Sequence, residues 1–136
     1  MILINSGNAE QWGIESQLNI RLYNHISGQL SYSYLEPDNI TAFNPRQQVK
    51  YILKINYNNW HTALFGRFVN QLFADNKSKS PLPDYHLMNL RLGYSFAWGE
   101  ASIKLLNLLN KKYYVLPDYE APPFYIMAGI NFFLIE

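Results

Sequence analysis

Phe124-Tyr125-Ile126-Met127-Ala128-Gly129-Ile130-Asn131-Phe132-Phe133-Leu134 decides how the rest of the chain is read. Phe124, Ile126, Ala128, Ile130, Phe132 and Leu134 recur at strict period two, the signature of a β-strand with one apolar face. The alternate positions, Tyr125, Met127, Gly129, Asn131 and Phe133, are mixed rather than polar. A strand apolar on one side and ending in aromatics suits a sheet whose outer face meets lipid.

The same period runs through the preceding chain. From Trp12 to Tyr23 the even positions are Trp12, Ile14, Ser16, Leu18, Ile20 and Leu22, against Gly13, Glu15, Gln17, Asn19, Arg21 and Tyr23. After a short turn at Asn24–Ser27, Leu30, Tyr32 and Tyr34 alternate with Ser31 and Ser33. A polar connection from Glu36 to about Pro45 has prolines near both ends, which break pairing. A third strand, Gln47 to Tyr57, sets Val49, Tyr51, Leu53, Ile55 and Tyr57 against Gln48, Lys50, Lys54 and Asn56. Asn58-Asn59 is a tight hairpin signal. The next stretch, Trp60 to Phe73, is apolar on both faces; placing Leu64 and Phe68 outward turns His61 and Arg67 inward. A long loop over Ala74–Asp84 precedes a fifth strand, in which His86, Met88, Leu90, Leu92, Tyr94 and Phe96 oppose Asn89, Arg91, Gly93 and Ser95. A turn at Ala97-Trp98-Gly99 leads to a sixth strand, Ala101 to about Leu109, and the loop Asn110–Pro123 leads to the last.

Connections therefore alternate short and long, as they do in outer-membrane barrels. The strands are about ten residues each, the length a tilted strand needs to cross a bilayer. Tyr23, Tyr57, Trp60 and Trp98 fall beside the short turns, and Trp12, Tyr34, Tyr113 and Tyr114 toward the long loops, which makes two aromatic girdles. The expected fold is all-β: an antiparallel up-and-down transmembrane β-barrel, present here as an open sheet of about seven strands. A complete bacterial barrel has an even strand number, whereas these strands begin on the long-loop side. Residues 1–136 are accordingly expected to be the C-terminal part of a larger barrel, with Trp12–Tyr23 and Phe124–Leu134 apart. The alternatives are a small free-standing outer-membrane barrel, structural or enzymatic, and a soluble β-sandwich binding module.

Composition agrees with a membrane sheet. Of the 136 residues 16% are aromatic and only 15% charged, where a soluble domain carries about a quarter charged. A net charge of +1 sets up no field for nucleic acid. Cysteine is absent, which excludes disulfides and thiolate metal sites. No apolar run of about 18 residues marks a transmembrane helix. Met1-Ile2-Leu3-Ile4-Asn5 has neither the charged start nor the long apolar core of a signal peptide.

Three segments carry a family resemblance. Asn107-Leu108-Leu109-Asn110-Lys111-Lys112-Tyr113-Tyr114 resembles a motif near the C-terminus of TonB-dependent outer-membrane receptors. Gly129, Phe132 and Leu134 resemble the family's terminal assembly signal, although Phe124 stands where the family often has arginine and the chain continues to Glu136. Gly13-Ile14-Glu15 resembles the opening of one of the family's late strands. The resemblance spans about Asn8 onward and corresponds to roughly the last third of a family barrel. It implies a receptor in the outer membrane of a Gram-negative bacterium for energy-dependent uptake of a scarce ligand. That ligand would be a metal chelate such as a ferric siderophore, haem or cobalamin or, in some branches, a glycan or peptide. The implied partners are outer-membrane lipid, the TonB energy-coupling complex acting through a plug domain, and the barrel-assembly machinery acting on the last strand. The family's plug and coupling box have no counterpart in residues 1–136.

Candidate sites follow from placement. Glu15, Arg21, Lys50, Lys54, Arg67 and Arg91 share the inward face and are expected to face the lumen, where such charges ordinarily pair with one another or with a plug. Tyr113, Tyr114, Asp118, Tyr119 and Glu120 lie in the last long loop and are the expected ligand contacts. Asp118 and Glu120 with Asp75 and Asp84 are acidic enough for a cation, but solvated loop charge is the ordinary account. His25, His61 and His86 lack ligand spacing, so no metal site is expected. No Ser-His-Asp unit or glycine-rich phosphate loop is present, so neither catalysis nor a cofactor is expected.

Overall fold

The computed structural model describes residues 11–37, 44–73, 80–116 and 119–133. Its strands in chain order are β1 (Gln11–Tyr23), β2 (Ile26–Pro37), β3 (Gln47–Tyr57), β4 (Trp60–Asn70), β5 (Leu72–Phe73), β6 (Pro81–Leu82), β7 (Tyr85–Phe96), β8 (Gly99–Leu106), β9 (Tyr114–Leu116), β10 (Tyr119–Glu120) and β11 (Tyr125–Phe132). Seven of them form one antiparallel sheet in the order β1-β2-β3-β4-β7-β8-β11. Every long strand pairs with its sequence neighbour, β1 and β11 occupy opposite edges, and the sheet is open. Two small ribbons, β5–β6 and β9–β10, grow from the long connections.

Register carries the pattern across strands. Ile20, Gly28, Leu53, Leu64, Leu90, Leu105 and Ile126 are successive cross-strand partners from one edge to the other. Because side chains alternate, one residue further along each strand the opposite face reads Arg21, Ser27, Lys54, Ala63, Arg91, Lys104 and Met127. Among the described residues nothing packs on the apolar face: Leu18 is 55% exposed, Ile126 60% and Ile130 59%. A soluble sandwich would bury this face under a second sheet. Among the described residues there is no such layer.

The apolar face has one close fit. Tyr51 lies opposite Gly66, and a methyl group at Gly66 would overlap its ring. The glycine lets the ring lie flat across β4, so its hydroxyl reaches His86 Nε2 on β7 at 2.9 Å. Glycine in a strand marks such a close approach.

The long connections are more structured than their composition indicates. The strand expected over Trp60–Phe73 stops at Asn70. Gln71 takes φ 55° and swings Leu72-Phe73 out of the main sheet to pair with Pro81-Leu82. The sixth strand, expected to reach about Leu109, ends at Leu106 because Asn107 adopts φ 52°. The loop Asn110–Pro123 contains the β9–β10 hairpin. On the polar face, where the two ribbons meet the sheet, Val69, Leu72 and Tyr85 are buried, with Leu82, Leu87 and Tyr113 packed against them. This is the principal packed cluster among the described residues, and it sits at the loop end.

Candidate ligand-facing end and polar face

The turn after β8 is built by two asparagines. Asn107, 4% exposed, donates through Nδ2 to the carbonyls of Lys111 (2.9 Å) and Pro122 (3.1 Å). Its Oδ1 accepts from the Lys111 N–H at 2.9 Å, and its own N–H donates to Asn89 Oδ1 at 2.8 Å. Asn110, at φ 48°, donates its N–H to the Asn107 carbonyl and accepts the Phe124 N–H on Oδ1 at 3.0 Å. Asparagine tolerates the left-handed region, and its amide replaces backbone partners that a turning chain loses. The two residues tie the start of the loop to its end and set where β11 begins.

That frame sorts the expected ligand contacts. Tyr113 packs down, stacked on Tyr85 with centroids 4.8 Å apart. Burial, with Tyr85 alongside, raises its phenol above the usual pKa of 10.0. It therefore belongs to the packed cluster and not to an outer aromatic girdle. Tyr114 and Tyr119 are exposed on the β9–β10 hairpin, at 40% and 65%. Glu120 pairs opposite Tyr114 and lies 3.7 Å from Lys112 Nζ. Tyr119 and Glu120 also border an open depression of about 450 Å³ with Asn110, Lys111 and Pro122. Asp118 and Asp75 lie outside the described residues. Asp84 accepts the Gln71 N–H at 3.2 Å, a structural contact at the β4–β5 bend.

Across the loop end, Arg46 joins β2 to the β5–β6 ribbon. Its carbonyl accepts the Leu35 N–H at 2.8 Å, and its N–H donates to the Gln71 carbonyl at 3.3 Å. Its guanidinium lies 3.8 Å from Glu36 and 5.9 Å above the Phe73 ring.

Glu15, Arg21, Lys50, Lys54, Arg67 and Arg91 all fall on one face of the sheet. Register adds two charges that the sequence reading did not assign, Glu100 and Lys104 on β8. Their signal was available: Glu100, Ser102 and Lys104 alternate with Ala101, Ile103 and Leu105. Arg91 donates to Glu100 at 2.6 Å. Beside that pair, His61 Nε2 meets Ser95 Oγ at 2.8 Å and Nδ1 meets Asn56 Oδ1 at 3.2 Å. The connectivity is that of a nucleophile, a base and an orienting group. The Ser95 N–H is donated to the Asn59 carbonyl, and together these contacts bind β3, β4 and β7. His25 packs edge-on to Tyr57 and His86 bonds Tyr51, so the histidines are engaged separately.

On β11, Gly129 stands opposite Ser102, and Phe132 stacks on Trp98 with centroids 5.4 Å apart. Leu134 lies outside the described residues.

Comparison with known proteins gives the family. No curated protein matches the chain. A family model described as TonB dependent receptor-like, beta-barrel, matches residues 1–110. That match stops before β11, so it is independent of the terminal signal at Gly129, Phe132 and Leu134, and it covers most of the chain. With its open antiparallel sheet, apolar on one face and charged on the other, this chain belongs to the TonB-dependent receptor β-barrel family.

Proposed function

We propose that residues 1–136 are the C-terminal barrel segment of an outer-membrane receptor that takes up a scarce ligand by energy-dependent transport. The observation that carries this reading is the uninterrupted apolar row from Ile20 to Ile126, backed on every strand by the opposite face. In lipid that row is favourable, and in water it would be a large exposed patch. The unpaired edges of β1 and β11 would then meet the remaining strands of the barrel, since bare backbone groups are not tolerated in hydrocarbon. Glu15, Arg21, Lys50, Lys54, Arg67 and Arg91 face the lumen on this reading. Tyr114, Tyr119 and Glu120 face outward as ligand contacts, with Tyr113 as their support. Family membership supports coupling to TonB through a plug domain, and Gly129 and Phe132 suit recognition by the assembly machinery. The substrate class is a metal chelate such as a ferric siderophore, haem or cobalamin.

Two experiments in Gram-negative cells expressing the receptor test the proposal. An epitope inserted between Lys112 and Tyr113 should be labelled on intact cells, and one inserted at Asn24-His25 only after the outer membrane is opened. The reverse pattern would overturn the orientation. Deleting Asp118 to Ala121 should weaken growth on one of a panel of ferric siderophores, haem or cobalamin while the barrel stays in the membrane. Unchanged growth across the panel would remove the hairpin from the binding site.

A further inference from the structure

Asn56, His61 and Ser95 share no local motif, and it is register that brings them together. His61 is the cross-strand partner of Asn56 on β3 and of Gly93 on β7, and Ser95 lies on the same face two residues beyond Gly93. Asn56 Oδ1 can only accept, so its 3.2 Å contact puts the imidazole proton on Nδ1. Nε2 then carries a lone pair, and the Ser95 hydroxyl donates to it at 2.8 Å. An oriented base in contact with a hydroxyl is what turns a serine into a nucleophile.

Positive charge stands beside it. Glu100 is the cross-strand partner of Ser95, and the Arg91 guanidinium donates to its carboxylate at 2.6 Å. Gly93, midway between Arg91 and Ser95 on β7, leaves room for this approach. A Cβ there would stand 3.0 Å from Glu100 Oε1 and 3.7 Å from His61 Cβ. A guanidinium has more donors than one carboxylate oxygen engages, so N–H groups remain to meet an oxyanion. Toward the loops, the base opens on a depression of about 380 Å³ lined by Lys54, Asn56, His61, Phe65 and Arg91. Lys54 has no carboxylate partner among the described residues, and Phe65 gives the depression an apolar wall.

We propose that Ser95 is the nucleophile of an ester-hydrolysing site, with His61 as its base and Asn56 as the positioning residue. The substrate class is a small carboxylic ester whose acid portion carries a second, anionic group, held by Lys54. Ser95 Oγ attacks the ester carbonyl carbon as its proton passes to His61 Nε2, and Arg91 N–H groups meet the oxyanion. The ester C–O bond then breaks, and the proton on Nε2 goes to the departing alcohol. Water next attacks the Ser95 ester: one of its protons passes to Nε2, its oxygen bonds to the carbonyl carbon, and Oγ recovers the proton as the acid leaves. The net reaction is ester plus water to acid plus alcohol. The inference stands on the polar face alone and is independent of which ligand is taken up and of whether the opposite face meets lipid.

The test uses the full-length protein in detergent micelles and two probes. A biotinylated fluorophosphonate, which reacts with activated serines, should label Ser95, located by peptide mass spectrometry. Mono-para-nitrophenyl adipate, an anionic ester, should be hydrolysed faster than the neutral para-nitrophenyl hexanoate. Ser95→Ala should abolish both labelling and hydrolysis, and His61→Ala should lower kcat about a hundredfold, the scale of general-base catalysis. Asn56→Ala should lower kcat with KM unchanged, and Asn56→Asp should restore most of it, which a purely structural role would not require. Lys54→Gln should raise KM for the adipate and leave the hexanoate unaffected. Ser102→Ala, on the same face of β8, should change nothing. Circular dichroism on each variant must show unchanged strand content, and labelling of the unsubstituted protein decides without any variant. A folded protein whose Ser95 stays unlabelled would overturn the proposal. So would Ser95→Ala that hydrolyses the adipate at the original rate, or a label found only on other serines.

Discussion

Two rows of residues cross the sheet side by side, one position apart on every strand. Ile20, Gly28, Leu53, Leu64, Leu90, Leu105 and Ile126 make the first; Arg21, Ser27, Lys54, Ala63, Arg91, Lys104 and Met127 make the second. Strand direction, pairing and neighbours are shared, so only the pleat separates them. One row is uniformly apolar, the other cationic with small gaps. A slip of one residue in any pair would bring charge into the apolar row, so the contrast itself specifies register. The pattern also shows that chemistry on this scaffold is divided by face before it is divided by loop.

The largest effect should come from breaking that division. Leu90→Arg, at the middle of the apolar row, should cost about 2–4 kcal/mol of folding stability in lipid vesicles. Ala63→Arg, opposite Arg91 on the other face, should cost less than about 1 kcal/mol, and urea titration of both would measure the gap. Equal costs would remove the assignment of faces.

Next comes the turn that frames the loop end. Asn107→Ala removes a buried amide and leaves the Lys111 and Pro122 carbonyls and the Lys111 N–H without it, which should cost about 1–3 kcal/mol. Because Asn110 and Phe124 hang from the same turn, proteolysis within residues 107–124 should accelerate more than cleavage at Asn24-His25. Gly66→Ala sharpens the comparison on the apolar face. It should displace the Tyr51 ring and break its bond to His86, costing on the order of 1 kcal/mol. Tyr51→Ala in the same background should recover part of that loss.

The smallest effect is a titration. Burial keeps the Tyr113 phenol neutral beyond the usual pKa of 10.0. A raised folded-state value means that its contribution to stability is complete below pH 10 and is lost as pH rises through the higher value. Ultraviolet titration should show late-ionising tyrosine absorbance, a part of which disappears in Tyr113→Phe. Titration at the ordinary value would place Tyr113 in solvent, off Tyr85.

The sheet was legible because period two is a local property. Trp12–Tyr23, Gln47–Tyr57 and His86–Phe96 each show their two faces without reference to any partner. What lay beyond the sequence was set by single backbone turns and by contacts between distant strands. Gln71 and Asn107 end strands whose apolar pattern continues past them, because a positive φ leaves no mark on hydrophobic alternation. Tyr113 reads as an exposed loop aromatic until Tyr85, twenty-eight positions earlier, is placed beneath it. The family motif at Asn107–Tyr114 was visible as a string, but its role as a hydrogen-bonded clasp required Asn89, Pro122 and Phe124 to be brought to it. Glu100 and Lys104 completed the polar face, and alternation on β8 had already offered both.

The account rests most heavily on which face meets lipid, and adjacent residues test it. The chain contains no cysteine, so Leu53→Cys and Lys54→Cys can each carry a single environment-sensitive fluorophore in the protein folded into lipid vesicles. The same pair of substitutions at Ile126 and Met127 repeats the test at the far edge of the sheet. Quenching by spin-labelled acyl chains should be strong at Leu53 and Ile126, and quenching by aqueous iodide strong at Lys54 and Met127. Indistinguishable quenching within each pair, or the opposite assignment, would contradict the lipid-facing sheet.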